Sequence, residues 1–486
     1  MRIFVNPFVL LSLCILLLAS SCAINPVTGR RQLVLMSEKQ EISMGREYDP
    51  QLIAAFGKYD NEPLLRLIQE KGAEMGLKSH RPGLEYHFRI LDSPVINAFA
   101  VPGGYIYLTR GILAQFNNEA EMIGVLGHEM GHITARHMVS RHARQTMGQL
   151  LLIGGMIASE EFRPYAGYAM AGMQLLFLSF SRADEREADQ LGVEYTSKIG
   201  YDARKMADFY QVLVRMNLGL EHGGIPTFLS THPDPGDRYN AVIRDAEKWN
   251  EKLDHSTWKV NRDRYLELLQ GMVYGDDPRK GFTDGNWFYH PELEFEFPFP
   301  AGWKLENMPV QVRMAPQDGN ALIVFTSAKG NTLEEAAEAT LQQLELNVLS
   351  SERRIIGGMP AIAVLSRQVQ GQAADPEEGI QVLSCFIDDN GSYYVFHGVS
   401  AQQDFESFRP SFESTMTGFS KLTNPSRLNV QPERIRIVRA KKSGTLANIF
   451  RSYDVKPDRM EEFGFLNNME LTDQVASGTL LKIAGQ

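Results

Sequence analysis

The sequence predicts a multidomain chain: a mainly α-helical first domain with a small β-sheet, an α+β second domain, and a small βααβ module at the C-terminus. Helical periodicity dominates up to about residue 255, interrupted only by short strand patterns between Leu84 and Leu108. From Leu293 the texture changes to alternating runs such as Leu293-Glu294-Phe295-Glu296-Phe297, with turn residues between them. A Pro/Asn/Ser linker at 423–433 then sets off a last segment, 434–486. The 486 residues, 43% hydrophobic and 22% charged, suffice for several cores and exclude a disordered or fibrous chain. A formal charge of −10 argues against a nucleic-acid partner. Only Cys14, Cys22 and Cys385 occur, which excludes a disulfide scaffold and a cysteine-rich zinc site.

The N-terminus reads Met1-Arg2, a mostly apolar run from Ile3 to Leu18, then Ala19-Ser20-Ser21-Cys22. A basic start, a short apolar core and small residues describe a secretory signal. An uncleaved anchor is the alternative, although the run is shorter than the roughly 20 residues a spanning helix needs. Ala-Ser-Ser-Cys resembles a bacterial lipobox, with Leu18 one step upstream of its usual place. That resemblance implies a signal peptide at 1–21, an acylated Cys22, a lipid membrane as partner, and a tether at 22–36. Cys385 lies in an apolar strand pattern and reads as a core residue.

The first domain, 37–255, opens with a helix capped by Ser37 and a second from about Glu62 to Met75. Strand patterns follow at Leu84–Ile90 and at Ile96-Asn97-Ala98-Phe99. A Pro102-Gly103-Gly104 turn then returns the chain into Tyr105-Ile106-Tyr107-Leu108, a hairpin-like pair. One long helix is predicted from Asn118 to Met147, and further helices at 183–199, 203–218 and 236–253. The apolar stretch 149–180 reads either as buried core helix or as a surface that leans on a membrane or covers the active site. In the second domain, 276–421, strands are expected at 310–314, 321–326, 361–366 and 382–387. Asp389-Asn390-Gly391 signals a hairpin, and helices are expected at 332–346 and 404–418.

His128-Glu129-Met130-Gly131-His132 carries the chemistry. On a helix, positions i and i+4 share a face, so both imidazoles reach one ion, and Glu129 lies beside the open coordination position. Ala135 and Met138 stand where a metzincin needs Gly and His, which excludes that class. A third ligand is on offer in Ser181–Asp189. Glu185 and Asp189 are one turn apart, so Glu185 can bind zinc while Asp189 supports a ligand histidine; an exposed charged helix is the other reading. His232, within Thr231-His232-Pro233-Asp234-Pro235-Gly236, falls on a turn-rich loop.

The combination of HEMGH, this Glu-x-x-x-Asp, Asn97-Ala98-Phe99 with Pro102-Gly103-Gly104, and Thr231-His232-Pro233…Arg238 resembles the HtpX and CAAX-prenyl-protease family of zinc metallopeptidases. The opening Asn25-Pro26-Val27-Thr28-Gly29 is similar to its secreted, BepA-like lipoprotein branch. The likeness covers roughly 25–255 and implies a zincin-type domain holding about one zinc per chain. It implies ligands at His128, His132 and Glu185, and Glu129 as catalytic base. It leaves His232 as a fourth ligand that latches the site or as an oxyanion donor, beside its plain reading as a helix-entry turn. The Asn97, Ala98, Phe99 strand is suited to pair with an extended substrate through main-chain hydrogen bonds. No tetratricopeptide period follows residue 255, so partner contacts made by such repeats do not carry over.

Residues 276–421 resemble the PsbP/Mog1-like sandwich through strand order and the Phe299-Pro300-Ala301-Gly302-Trp303 turn. Residues 434–486 resemble a LysM module, which implies a peptidoglycan partner; Ser443-Gly444 stands where Gly-Asp is usual. The combined reading is a zinc-dependent endopeptidase acting on unfolded or misassembled envelope proteins. It would be lipid-anchored, at an outer membrane facing the periplasm. A periplasmic chaperone or assembly factor with a latent zinc site, and a cell-wall tether, are the rival readings.

Overall fold

The computed structural model describes residues 22–146, 180–219, 228, 232, 235–253, 257–368 and 379–486. The expected signal peptide and all but the last residue of the apolar stretch 149–180 lie outside the described residues. Among those described, no helix is long and apolar enough to cross a membrane. The chain divides into two compact units. The first takes in the chain up to Ile53, Gly57–Gly275 and Glu433–Gly485; the second takes in Asp276–Pro432, with Ala54–Phe56 and Gln486.

The first unit starts with β1 (Cys22–Ile24) paired antiparallel to β2 (Arg31–Leu33). Between them Asn25 forms an Asx turn: its Oδ1 accepts from the Val27 and Thr28 amides, and its Nδ2 donates to Ala135 O at 3.3 Å. Helix α1 (Glu38–Phe56) begins with a Ser37/Gln40 capping box, and α2 (Glu62–Leu77) with an Asn61 cap. Strands β3 (His87–Leu91), β4 (Ala98–Val101) and β5 (Tyr105–Thr109) form a mixed sheet in the order β3-β5-β4. The β4–β5 pair is antiparallel, as the hairpin pattern predicts, while β3 runs parallel to β5. Gly104 makes the turn possible: its φ is +98°, and a Cβ there would lie 2.1 Å from Glu85 O.

After α3 (Arg110–Gln115), helix α4 (Glu119–Thr134) carries the HEMGH motif, capped by Asn118. The single long helix expected to Met147 is broken. Arg136 adopts a left-handed φ of 58°, and a second helical stretch runs from 137 to 146. The break is held by Arg136, whose Nε donates to the buried Glu41 at 3.0 Å and whose Nη2 donates to Met36 O. Helices α5 (Arg182–Lys198), α6 (Lys205–Gly219) and α7 (Pro235–Lys252) lie close to the predicted bounds, and α8 (Arg262–Leu268), which the sequence reading did not mark, completes this part.

The second unit is an α+β sandwich. Strands β6 (Phe282–Asp284), β7 (Trp287–His290) and β8 (Phe295–Pro298) belong to a four-stranded antiparallel sheet. Strands β9 (Lys304–Met308), β10 (Gln311–Ala315), β11 (Ala321–Ala328), β12 (Asn347–Ile356), β13 (Met359–Gln368), β14 (Ile380–Asp389) and β15 (Ser392–Ala401) form the larger one, in the order β12-β13-β14-β15-β11-β10-β9. Sequence patterning missed the short strands β6, β7 and β9 and the long strand β12, whose first seven residues are exposed, so no alternation marks it. Helix α9 (Leu333–Gln343) covers one face of the large sheet through Leu333, Ala337 and Leu341 against Ile362, Val364, Phe386 and Val395. Helix α10 (Phe405–Thr417) and a cluster including Phe288, Phe295, Phe297 and Phe419 pack against the other face. Cys385 is buried in that second core, and burial pushes its thiol up to about 12. Strand β16 (Ser420–Lys421) pairs with β8.

The chain then re-enters the first unit. Strand β17 (Arg434–Arg439), the short pair β18 (Gly444–Thr445) and β19 (Gln474–Val475), helices α11 (Leu446–Arg451) and α12 (Met460–Leu466), and β20 (Leu480–Gly485) give the expected βααβ order. β17 and β20 pair antiparallel, and Ile435, Phe450, Phe463 and Leu481 share one core with Leu113, Phe116, Tyr265 and Leu266.

Candidate metal centre

Helices α4 and α5 approach each other backbone to backbone because glycines line the contact. A Cβ on Gly127 would lie 3.0 Å from Gly192 O, one on Gly131 3.0 Å from Ala188 O, and one on Gly192 2.9 Å from His128 N. That proximity sets Glu185, in the first turn of α5, opposite the two histidines of α4. His128 Nε2 and His132 Nε2 lie 3.0 Å apart, and the Glu185 oxygens lie 3.4 Å and 3.6 Å from them. His232 closes the group: its Nδ1 is 2.9 Å from Glu185 Oε1 and 3.3 Å from His128 Nε2. One ligand atom from each of the four falls within 4.8 Å of the others, and all four residues are buried. This position for His232 goes beyond a plain helix-entry turn.

These separations suit a metal. Ligand atoms about 2.0–2.1 Å from a tetrahedral zinc stand about 3.3 Å from one another. The donor set is two imidazoles and a carboxylate with a third imidazole beside them, and Glu129 stands next to it with neither carboxylate oxygen hydrogen-bonded. An unpaired buried carboxylate is costly unless a ligand answers it. Burial raises the Glu129 pKa, opposed by the His232 and His128 charges.

A second ring of residues holds the first. Asp189 Oδ1 lies 2.9 Å from His128 Nδ1. Its own pKa falls to about 2: burial opposes this, and the Arg238 guanidinium prevails. Arg238 donates to both Asp189 oxygens at 2.7 Å, and its Nη1 stands 2.8 Å from Glu185 Oε2. The Tyr210 ring lies under that guanidinium at 4.4 Å, and its hydroxyl donates to Asp189. His132 is held by a further pair, His137 and Glu187. His137 Nδ1 shares a hydrogen bond with His132 Nδ1 at 2.9 Å, and His137 Nε2 meets Glu187 Oε2 at 3.0 Å. Their i,i+5 spacing hides this, because only the break at Arg136 turns His137 back. Phe180 stacks on His132 at 3.9 Å and Phe228 on His232 at 4.6 Å.

Of the expected substrate strand, Ala98 and Phe99 open β4 and Asn97 precedes it. β4 is an edge of its sheet, and the Phe228 amide donates to Ile96 O at 3.2 Å just before it. Cys22 begins β1, apart from the metal group.

A helix-borne His-Glu-x-x-His facing a glutamate from the next packed helix is the arrangement found in metallopeptidases of the zincin class. Residues 64–246 match the model of Peptidase family M48. It is 30% identical over 331 residues to the beta-barrel assembly-enhancing protease of Yersinia pestis, covering 66% of this chain and 64% of that one. The protein of the same name in Escherichia coli K12 is 31% identical, over 54% of this chain and 55% of the relative. Human mitochondrial metalloendopeptidase OMA1 is 25% identical, over 46% and 45%. The chain thus spans about half to two thirds of the length of these curated relatives. Among solved structures, cyanobacterial PsbP of Synechocystis is 13% identical with a TM-score of 0.24, covering 29% of this chain and 94% of that one. Yeast Mog1p is 11% identical with a TM-score of 0.23, covering 30% and 99%. Likeness that slight carries no argument.

Proposed function

We propose that this chain is a zinc-dependent endopeptidase that hydrolyses peptide bonds in unfolded or misassembled proteins of the bacterial envelope. The observation that carries the reading is the convergence of His128, His132 and Glu185 on one point, with the Glu129 carboxylate, neither oxygen of which is hydrogen-bonded, beside it. His128, His132 and Glu185 are the ligands in this reading. Zinc held there supplies a Lewis acid that polarises a carbonyl and acidifies water toward a pKa of about 7. Glu129 takes the proton of the attacking water and hands it to the leaving nitrogen. Asp189 and His137 fix the ring orientations of His128 and His132. The β4 edge pairs with an extended chain, which reads main-chain groups rather than side chains. His232 is a fourth ligand that latches the site, because its Nδ1 already stands at the ligand position.

In the same reading residues 1–21 are a signal peptide, Cys22 is acylated, and 22–36 leads from an outer-membrane anchor facing the periplasm into the peptidase domain at 37–255. Residues 276–421 form a PsbP/Mog1-like domain, 423–433 a linker and 434–486 a LysM-like module with peptidoglycan as its partner. The names of the bacterial relatives, which concern beta-barrel assembly, favour envelope substrates. The experiment is metal analysis with casein cleavage. Wild type is expected to hold about one zinc, and Glu129→Gln to keep it and lose cleavage. Zinc retained by a His128→Ala, His132→Ala double variant would sink the assignment. Zinc bound without cleavage by wild type or by His232→Ala would leave the chaperone reading instead.

A further inference from the structure

The α+β unit holds a groove of about 600 Å³ between helix α9 and strand β12, a size typical of binding clefts. Its floor is apolar, made by Ala337, Leu341, Ile362 and Val364, with Val348 on the wall. Three carboxylates, Glu334, Glu338 and Glu345, stand in its lining. Arg353 pairs with Glu334 at 2.7 Å, whereas no cation among the described residues stands within ion-pair distance of Glu338 or Glu345. The mouth is therefore acidic over an apolar floor.

Strand β12 is the end strand of its sheet, so its outer edge offers unpaired main-chain groups. Glu352, Arg353 and Arg354 guard its second half with charge, but Asn347–Ser351 carries none and leaves Val348 and Leu349 about half exposed, at 52% and 51%. Glu345 breaks a local rule. It sits just past the C-cap of α9 with φ 53°, the left-handed position where glycine is strongly favoured. Rule-breaking residues of this kind concentrate at functional sites, and here the strain places a carboxylate in the groove lining.

We propose that this groove docks an extended polypeptide segment of another protein, one with apolar side chains flanked by lysine or arginine. The floor takes the apolar side chains, the uncharged stretch of β12 offers main-chain hydrogen bonds, and Glu338 and Glu345 meet the flanking cations. Anionic lipids and fatty acids are disfavoured by the same two carboxylates. The proposal does not rest on peptidase activity, so it is tested where cleavage plays no part.

The full chain carrying Glu129→Gln is titrated with two fluorescein-labelled peptides that share a Val/Leu-rich centre, one flanked by lysines and the other by glutamates. The lysine-flanked peptide is expected to bind about tenfold or more tightly than the other, and to weaken as salt is raised. Glu338→Lys with Glu345→Lys, both at exposed positions, is expected to erase that preference. Glu345→Gly is expected to weaken binding while holding or raising the Tm, because glycine accepts φ 53° freely; a merely structural role would not separate the two. Equal binding of both peptides, or a preference that survives the double lysine variant, overturns the proposal. So does self-association in sedimentation that the double variant abolishes, or tighter binding to vesicles of anionic phospholipid than to the peptide.

Discussion

His232 faces two ways, with Nδ1 among the ligand atoms and Nε2 3.6 Å from Glu129 Oε1. If it latches the site, His232→Ala should raise casein cleavage with zinc retained, and that is the expected result. A fall of about 100-fold or more would make it an oxyanion donor instead, and an unchanged rate would leave it a packing residue. His137 lends itself to a separate measurement. Partners that orient a ligand imidazole are worth about 10–100-fold in metal affinity, so His137→Ala should release zinc to a competing chelator at correspondingly lower concentration. His137→Asn, which keeps a polar group near His132, should recover part of the loss. The residues themselves were largely legible. Spacing alone put His128 and His132 on one face and paired Glu185 with Asp189, whereas Arg238, Tyr210 and Glu187 reach the site through tertiary contacts that no local spacing encodes.

At the scale of elements, the site exists because α4 and α5 touch through glycine. Glycine inside a helix ordinarily costs about 0.5–1 kcal/mol relative to alanine, so Gly192→Ala on a free helix would stabilise. Here its Cβ would lie 2.9 Å from His128 N, closer than real contacts allow. The sign should reverse: a loss of about 1–3 kcal/mol by overpacking, seen as a lower Tm, together with weaker zinc retention as Glu185 is pushed from the histidines. The periodicity of α4 and α5 was readable, and so was the β4–β5 hairpin. The break after Thr134 was not, because 118–147 is helical by pattern throughout. What overrides the pattern is the distant carboxylate of Glu41, to which both Arg81 and Arg136 turn. Strand β12 escaped notice for the opposite reason, since an exposed edge has no buried face to write into the sequence.

At the scale of the molecule, the linker at 423–433 suggested an independent C-terminal module, yet Glu433–Gly485 groups with the first unit. Its burial depends on pairing across hundreds of residues, which composition cannot register. The joint is Lys482, fully buried on β20, whose Nζ donates to Ala114 O at 2.8 Å, Gln115 O at 3.2 Å and Phe116 O at 2.9 Å. It thereby ties the end of α3 directly before the helix that carries the metal motif. Lys482→Met should leave these buried carbonyls without their donor, at about 1–3 kcal/mol for an unsatisfied group, and lower the Tm of the first unit. A pH series separates this from simple repacking. Burial pushes Lys482 down to about 7, with the Glu121 carboxylate opposing that fall and Arg262 adding to it. The unfolded chain therefore binds more protons than the folded one between about pH 7 and 10.5, and stability from this group rises with pH across that window. Burial pushes Glu121 up to about 7, opposed by the Asn117 amide and by Lys482; Asp208 raises it further and Lys205 opposes. Its raised pKa lowers stability progressively from about pH 4.5 through 7, and only about one unit higher does it stop adding slope. Wild type should gain on Lys482→Met steadily from about pH 8 to pH 10, and a difference in Tm that stays flat or shrinks over that range would show that Lys482 is charged and satisfied in the folded protein at these pH values.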